Sequence, residues 1–256
     1  YNTFIQTGCK STVLGSQYHK ELFLFVSFTI MKQTLKIRGL AIVVTARNHN
    51  PTILNPDFLK YNRIVGQDWK LAEDPICVGP FAQVSFENGV NIIAELGKIS
   101  FAQTLGDREL DSIVVADVAR DYVKTLPHVE YRAVGINPKG DISISNDART
   151  GFHTAKLVLP GPWTRFNESP AEIGIRFVYR TGEGLLNLTV EPMICSTCDA
   201  DPKRNFVFAA NFHYDVSDPN PGVRIDRTLA VIAKWKDLVE SYRRFIDESF
   251  LKETTE

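Results

Sequence analysis

The chain has 256 residues, of which 44% are apolar and 23% are charged, which is typical of a globular protein rather than a disordered or fibrous one. The formal net charge is −1 and the basic residues are scattered, which disfavours a nucleic-acid-binding surface. Four cysteines are too few for a disulfide scaffold in a chain of this size, so we expect a reducing, cytoplasmic location.

Residues 1–30 show no regular pattern before the apolar run LFLFVSFTI at residues 22–30. A run of nine residues is too short for a bilayer, which takes about 20, and it lacks the basic start and cleavage site of a signal peptide. We therefore expect no membrane association, and we interpret residues 1–30 as an extension upstream of a natural start at Met31. An added edge strand and a damaged secretory signal are the alternatives.

The stretch from Phe81 to Gln103 is predicted to be a three-stranded antiparallel meander. Apolar and polar residues alternate on both sides of Asn88-Gly89, a pair that favours a type I′ turn, and a second reversal follows at Gly97-Lys98. One face of this meander is apolar and has to be covered. The three- and four-residue spacing of apolar residues over 109–125 predicts the helix that covers it.

The same order of elements is predicted on both sides of residue 128. The first half has a strand over 35–45, a helical turn that begins after Asn55, the meander and the helix. The second half starts with a strand over 129–137 that ends in a turn at residues 138–141. A polar connection, strands at 171–180, 185–190 and 205–216, and a long helix capped by Asp226 and reaching Phe250 follow.

These patterns predict an α+β protein made of two similar units, each an antiparallel β-meander with a covering helix. We place the units at residues 31–128 and 129–256, with a single domain over 31–256 and one continuous curved sheet as the alternative. No sequence identity links the halves, so the proposed internal duplication is architectural.

Four segments resemble an uncharacterised family of bacterial proteins known from cyanobacteria: HNPTILNPDFLKYNRIV (49–65), PFAQVSFENGV (80–90), YRAVGINPKG (131–140) and NFHYDV (211–216). The order of elements is also similar to that of a broader, sporadically distributed family of uncharacterised prokaryotic proteins. The likeness covers most of residues 31–251. Its motifs are turns, strand cores and a helix cap, so the resemblance implies no activity, cofactor or catalytic residue.

Cys195 and Cys198 form the pair most suggestive of metal or thiol chemistry. A zinc site takes four ligands, and no second closely spaced pair accompanies this one. Asp199 and Asp201 follow the pair, and their carboxylates would oppose thiolate formation. A polar loop with two incidental cysteines is the simpler interpretation, and a metal or redox site is the alternative.

Arg47 and His49 lie in the polar cluster RNHN at the end of the first strand, where ligand sites often occur. Arginine can hold a carboxylate through two hydrogen bonds, and histidine can act as a base near neutral pH. The alternative is a loop whose asparagines bond to their own main chain. Trp163, in the second long connection, is a further candidate for ligand contact, with closure of the core as its alternative role.

We find no GxSxG, HExxH, strand-linked GxGxxG or complete phosphate-loop motif. The first hypothesis is therefore a non-catalytic module that needs no cofactor and binds a partner protein or a small molecule. We expect a homodimer through the C-terminal helix, because its apolar stripe extends far along the helix. The second hypothesis is a hydrolase or isomerase with Arg47 and His49 in a cleft between the units, and the third is a metal or thiol module at Cys195 and Cys198.

Overall fold

The computed structural model describes residues 34–143, 157–159, 161–163, 173–194 and 204–252. These residues belong to a compact unit, Gln33–Glu256. The proposed extension over residues 1–30 lies outside the described residues. The division into units at residue 128 stays a prediction.

Nine strands form one sheet in which every pairing is antiparallel. They are β1 (Lys36–Arg47), β2 (Ile76–Val78), β3 (Phe81–Ser85), β4 (Val90–Glu95), β5 (Lys98–Thr104), β6 (Glu130–Ser143), β7 (Ile175–Thr181), β8 (Gly184–Ile194) and β9 (Arg204–Asp215). Four α-helices accompany them: α1 (Pro56–Tyr61), α2 (Val115–Thr125), α3 (Pro221–Ala233) and α4 (Trp235–Ser249).

The strand order is β2-β3-β4-β5-β1-β6-β9-β8-β7. The two strands that open the halves, β1 and β6, pair at the centre, and each also pairs with the last strand of its own meander. Each half then extends outward through the middle strand to the first strand of its meander. The predicted α+β class with two similar meander units is confirmed, and the units share one sheet.

One face of this sheet carries a continuous apolar row. Cross-strand partners place the following residues side by side on that face: Val84, Ile92, Phe101, Ile42, Ile136, Phe212, Leu186 and Tyr179. All of them except the half-buried Tyr179 are buried. Burial of this row removes a large apolar area from water, which is the main favourable contribution to folding.

The helices cover this apolar face. Tyr122 of α2 packs its ring against Phe101, and the hydroxyl of Tyr242 in α4 donates a 2.6 Å hydrogen bond to the backbone carbonyl of Phe208. At the far end of α4, Phe250 contacts Phe177 and Phe208 edge to face. The stripe that runs into the C-terminal helix is therefore packed on strands of its own chain.

Two helix starts differ from the prediction. The helix expected from Glu109 begins at Val115, because the Oε1 atom of the buried Gln103 accepts hydrogen bonds from Val114 N and Val115 N. The predicted cap at Asp226 is wrong, because Asn220 caps the helix by accepting a 2.9 Å hydrogen bond from Gly222 N. The long helix is also two helices, since α3 ends and α4 begins on either side of Lys234.

Two reversals also differ. The turn expected at residues 138–141 is wrong, because β6 continues through Pro138. The pairing of β6 with β9 is interrupted at this proline, so the strand does not need the backbone N–H that proline lacks. The type I′ turn expected at Asn88-Gly89 is a three-residue loop in which Gly89 has a φ of +85° and Asn88 has no positive φ. Gly89 N donates to the Phe86 carbonyl, as in a type I turn followed by a left-handed glycine. The edge strand β2 was not predicted.

No helix within the described ranges is long and apolar enough to cross a membrane.

Candidate functional site

The open face of the sheet, opposite the helix-covered row, carries a cavity of about 1020 Å³. It lies over the seam where the halves meet and extends across β5, β1, β6, β9, β8 and β7. We call this cavity the seam groove. Its volume is at the upper end of the roughly 300–1,000 Å³ that small-molecule pockets span.

Small side chains on the central strands give the seam groove its depth. Gly39 and Ala41 come from β1, Ala102 from β5 and Ala209 from β9, and all four line the groove. Gly39 has no room for a larger residue, because a Cβ there would lie 2.7 Å from the Gln103 carbonyl oxygen. Longer polar side chains rise on both sides of this floor.

A line of three asparagines runs across β6, β9 and β8 along one side of the groove. Asn211 Nδ2 donates to Asn137 Oδ1 at 2.5 Å, and Asn187 Nδ2 donates to Asn211 Oδ1 at 3.3 Å. Asn137 Nδ2 in turn donates to the backbone carbonyl of Ala41 at 3.1 Å. We call Asn137, Asn211 and Asn187 the asparagine ladder. Arg176 of β7 completes it, donating to Asn187 Oδ1 at 2.7 Å.

Gly135 leaves the space that the asparagine ladder occupies. A Cβ at this position would lie 2.8 Å from Asn211 Nδ2 and 3.4 Å from Asn137 Nδ2. A side chain there would therefore push against the Asn211 amide. The glycine in β6 is thus part of the arrangement that aligns the ladder.

An ion pair lies on the other side of the groove. Arg38 of β1 donates two hydrogen bonds to Asp141 of β6, from Nε at 2.5 Å and from Nη2 at 3.1 Å. The Asp141 side chain is 6% exposed, whereas that of Arg38 is 37% exposed. The bond to this carboxylate raises the pKa of Arg38. Asn205 lies beside the pair, and its buried Oδ1 atom has no hydrogen-bond partner among the described residues.

The structure gives Arg47 and His49 different surroundings. Arg47 is exposed at the end of β1 and lines a cavity of about 550 Å³ together with Arg132 and no described carboxylate. His49 is 4% exposed and shares a 2.8 Å hydrogen bond between its Nε2 atom and the Tyr122 hydroxyl. The cavity that Arg47 lines does not include His49.

The environment of His49 favours its neutral form. Burial lowers the pKa of His49, and the nearby backbone of Glu95 acts in the opposite direction. Burial likewise raises the pKa of Tyr122. The pair is therefore a neutral hydrogen bond inside the core.

The remaining predicted site residues lie elsewhere. Trp163 is 43% exposed in the connection before β7, with its indole close to Gly161. Cys195 and Cys198 fall outside the described residues, so the metal or thiol hypothesis stays a prediction. Among the residues that the structure does describe, no three metal-ligating side chains come together.

The residues of the seam groove were not singled out from the sequence. Asparagines within the predicted strands could have indicated this site, since asparagine is disfavoured within strands. Asparagines nevertheless occur within several predicted strands, and Asn137, Asn187 and Asn211 are three of them. Alternation places Asn187 and Asn211 on the polar sides of their strands, but only the strand order brings β6, β9 and β8 next to one another in the sheet.

No protein-family model matches this chain, and no curated protein matches it either. The resemblance to uncharacterised bacterial proteins therefore stays a prediction.

Proposed function

We propose that this protein is a non-catalytic binding module and that it holds a small molecule in the seam groove. The observation that carries the proposal is the groove itself, with a floor of small residues beneath a hydrogen-bonded row of polar side chains. Such a row is held in place before a ligand arrives, so less conformational entropy is lost on binding.

The composition of the groove favours binding over catalysis. Its described lining contains no histidine, cysteine or serine, and the groups in it that can transfer protons or act as nucleophiles are Lys139, Thr104, Thr189 and Asp141. Its carboxylate, Asp141, is held by two hydrogen bonds from Arg38. The alternative, a small-molecule enzyme that uses Arg47 and His49, finds less support, because His49 is buried against Tyr122.

A variant that fills the groove tests this proposal. Ala209 lies on the floor of the groove, so Ala209→Phe should occupy the space that a ligand needs. We expect saturation-transfer NMR against a collection of polar metabolites to give binders for the wild type that Ala209→Phe loses.

Val178→Phe is the matched control, because Val178 lies on the open face of β7 and does not line the groove. It should keep every binder, and both variants should retain the circular dichroism spectrum of the wild type. Binders that persist equally in Ala209→Phe, or the absence of any binder for the wild type, would count against the groove as the site.

The homodimer is a separate part of the proposal. The apolar stripe that led us to expect it is already in contact with the sheet through Phe250 and Phe245. A dimer through α4 would therefore have to use the outer surface of that helix. Size-exclusion chromatography with light scattering tests this, since a monomer at every concentration would remove the dimer from the proposal.

A further inference from the structure

The charges in the seam groove are not balanced. Three cationic side chains line it, Arg38, Lys139 and Arg176, against the single described carboxylate of Asp141. Arg38 is paired with that carboxylate. The Lys139 side chain makes no hydrogen bond or ion pair with any described residue, and Arg176 bonds to the neutral Asn187.

The sheet register places these two cations on the same row. Lys139 pairs with Ala209, Ala209 with Thr189, and Thr189 with Arg176, so the row crosses four adjacent strands. At a strand spacing of about 4.8 Å, the Cα atoms of Lys139 and Arg176 are about 14 Å apart. The small residues between them leave room for a ligand within reach of both long side chains.

The asparagine ladder adds hydrogen-bond donors beside that row. Each asparagine amide group has two N–H bonds, and the ladder uses one from Asn187 and one from Asn211. The second N–H of the Asn187 and Asn211 amides, the Thr189 hydroxyl and the remaining side-chain N–H groups of Arg176 have no acceptor or partner among the described residues and can serve a ligand. Donors and positive charge together match an acceptor-rich anion.

We propose that the seam groove binds a small organic anion whose carboxylate or phosphate group lies over Ala209 and Thr189, between Lys139 and Arg176. This inference rests on the proposed function and specifies the class of ligand.

The test is a titration of the ¹⁵N-labelled full chain, followed by two-dimensional amide NMR. The probes are sodium phosphate, sodium succinate and neutral glucose, at a constant ionic strength of about 0.15 M set with sodium chloride. We expect one of the two anions to shift the amides of Ala209, Thr189 and Lys139 to saturation, and glucose to shift none of them. The comparison of phosphate with succinate identifies which anionic group the site prefers.

Charge-removing variants assign the effect to the two cations. Lys139→Gln and Arg176→Gln should each weaken anion binding about tenfold, which corresponds to the loss of one charge-assisted hydrogen bond. Lys139→Arg should retain binding. Arg180→Gln is the control, because Arg180 lies on the same strand and face as Arg176 and does not line the groove.

The outcomes separate this inference from the proposed function. Shifts that do not saturate, or that Arg180→Gln reduces as much as Arg176→Gln, indicate general charge attraction and overturn the inference. If neither anion binds while neutral metabolites bind the wild type and not Ala209→Phe, the anion is wrong and the proposed function stands. If neither an anion nor any metabolite binds at the groove, both fail.

Discussion

On the helix-covered face, the first half of the sheet places Ile42 beside Phe101, and the second half places Ile136 beside Phe212. At the next residue of each central strand, whose side chain lies on the open face, the two halves have different residue types. The first half has Val43 beside Ser100, and the second half has Asn137 in hydrogen-bond contact with Asn211. The matching covered positions keep the same chemistry because both halves need an apolar layer under their helices.

The outer strands show the same divergence. In the first half, the hydroxyl of Ser85 in β3 hydrogen-bonds to Glu73 and Asn91. These three polar side chains therefore bond to one another. In the second half, Asn187 connects the central strands to Arg176 at the edge of the groove. This difference indicates that the side chains of the covered face stabilise the fold, whereas those on the open face of the second half form the candidate site.

The largest effect should come from matched core substitutions. Phe101→Ala and Phe212→Ala each remove a buried ring from the continuous row, and each should lower the free energy of unfolding by about 3–5 kcal/mol. Urea unfolding followed by both circular dichroism and tryptophan fluorescence should show a single transition for each variant. Separate transitions would show that the halves fold independently and would break the comparison.

The next effect is expected at the ion pair that joins the halves across the seam. Arg38→Gln leaves the Asp141 carboxylate buried with weaker partners, which should cost about 2 kcal/mol of unfolding free energy. Arg38→Gln combined with Asp141→Asn removes the uncompensated charge and should recover most of that loss in the same urea experiment. A double variant no more stable than the single one would contradict a charge-based explanation.

A smaller effect is expected from the ladder. Asn211→Ala should cost about 1 kcal/mol, because it breaks two hydrogen bonds among half-exposed groups. Ser100→Ala, at the matching position of the first half, should be within about 0.5 kcal/mol of the wild type. Equal losses in the two variants would remove the distinction drawn between the open faces. The comparison is made by measuring the melting temperatures of the two variants and of the wild type.

The smallest effect is a pH dependence confined to the first half. His49 has a pKa below its ordinary value in the folded state because it is buried, so the unfolded chain binds a proton more readily. This contribution to stability is complete above the unfolded pKa of about 6.5 and is lost as pH falls from there towards the folded pKa.

Urea midpoints measured between pH 7 and pH 5, roughly the range over which histidine titrates, should therefore decrease less for His49→Gln than for the wild type. The exposed His213 of β9 is the position of the matched control variant, and the slope of His49→Gln is compared with that of His213→Gln. An unchanged slope in His49→Gln would exclude the buried histidine as the cause.

Several elements could be predicted because their signals are local. Asn55 followed by Pro56 correctly predicted a capped helical turn, and Asn55 Oδ1 accepts the hydrogen bond from Phe58 N. Asn220 followed by Pro221 carries the same signal, and this pair, not Asp226, begins α3. The start of α2 could not be predicted in this way, because its cap comes from the side chain of Gln103 on a neighbouring strand.

The sequence by itself determined the antiparallel meanders, the covering helices and the repeated order of elements. These follow from alternation and helical spacing, which act between residues close together in the chain. The tertiary structure decided that β1 and β6 pair at the centre and that Asn137, Asn211 and Asn187 align beside Lys139 and Arg176. The side chains of the seam groove come from six strands spread over most of the chain, and only the sheet register brings them together.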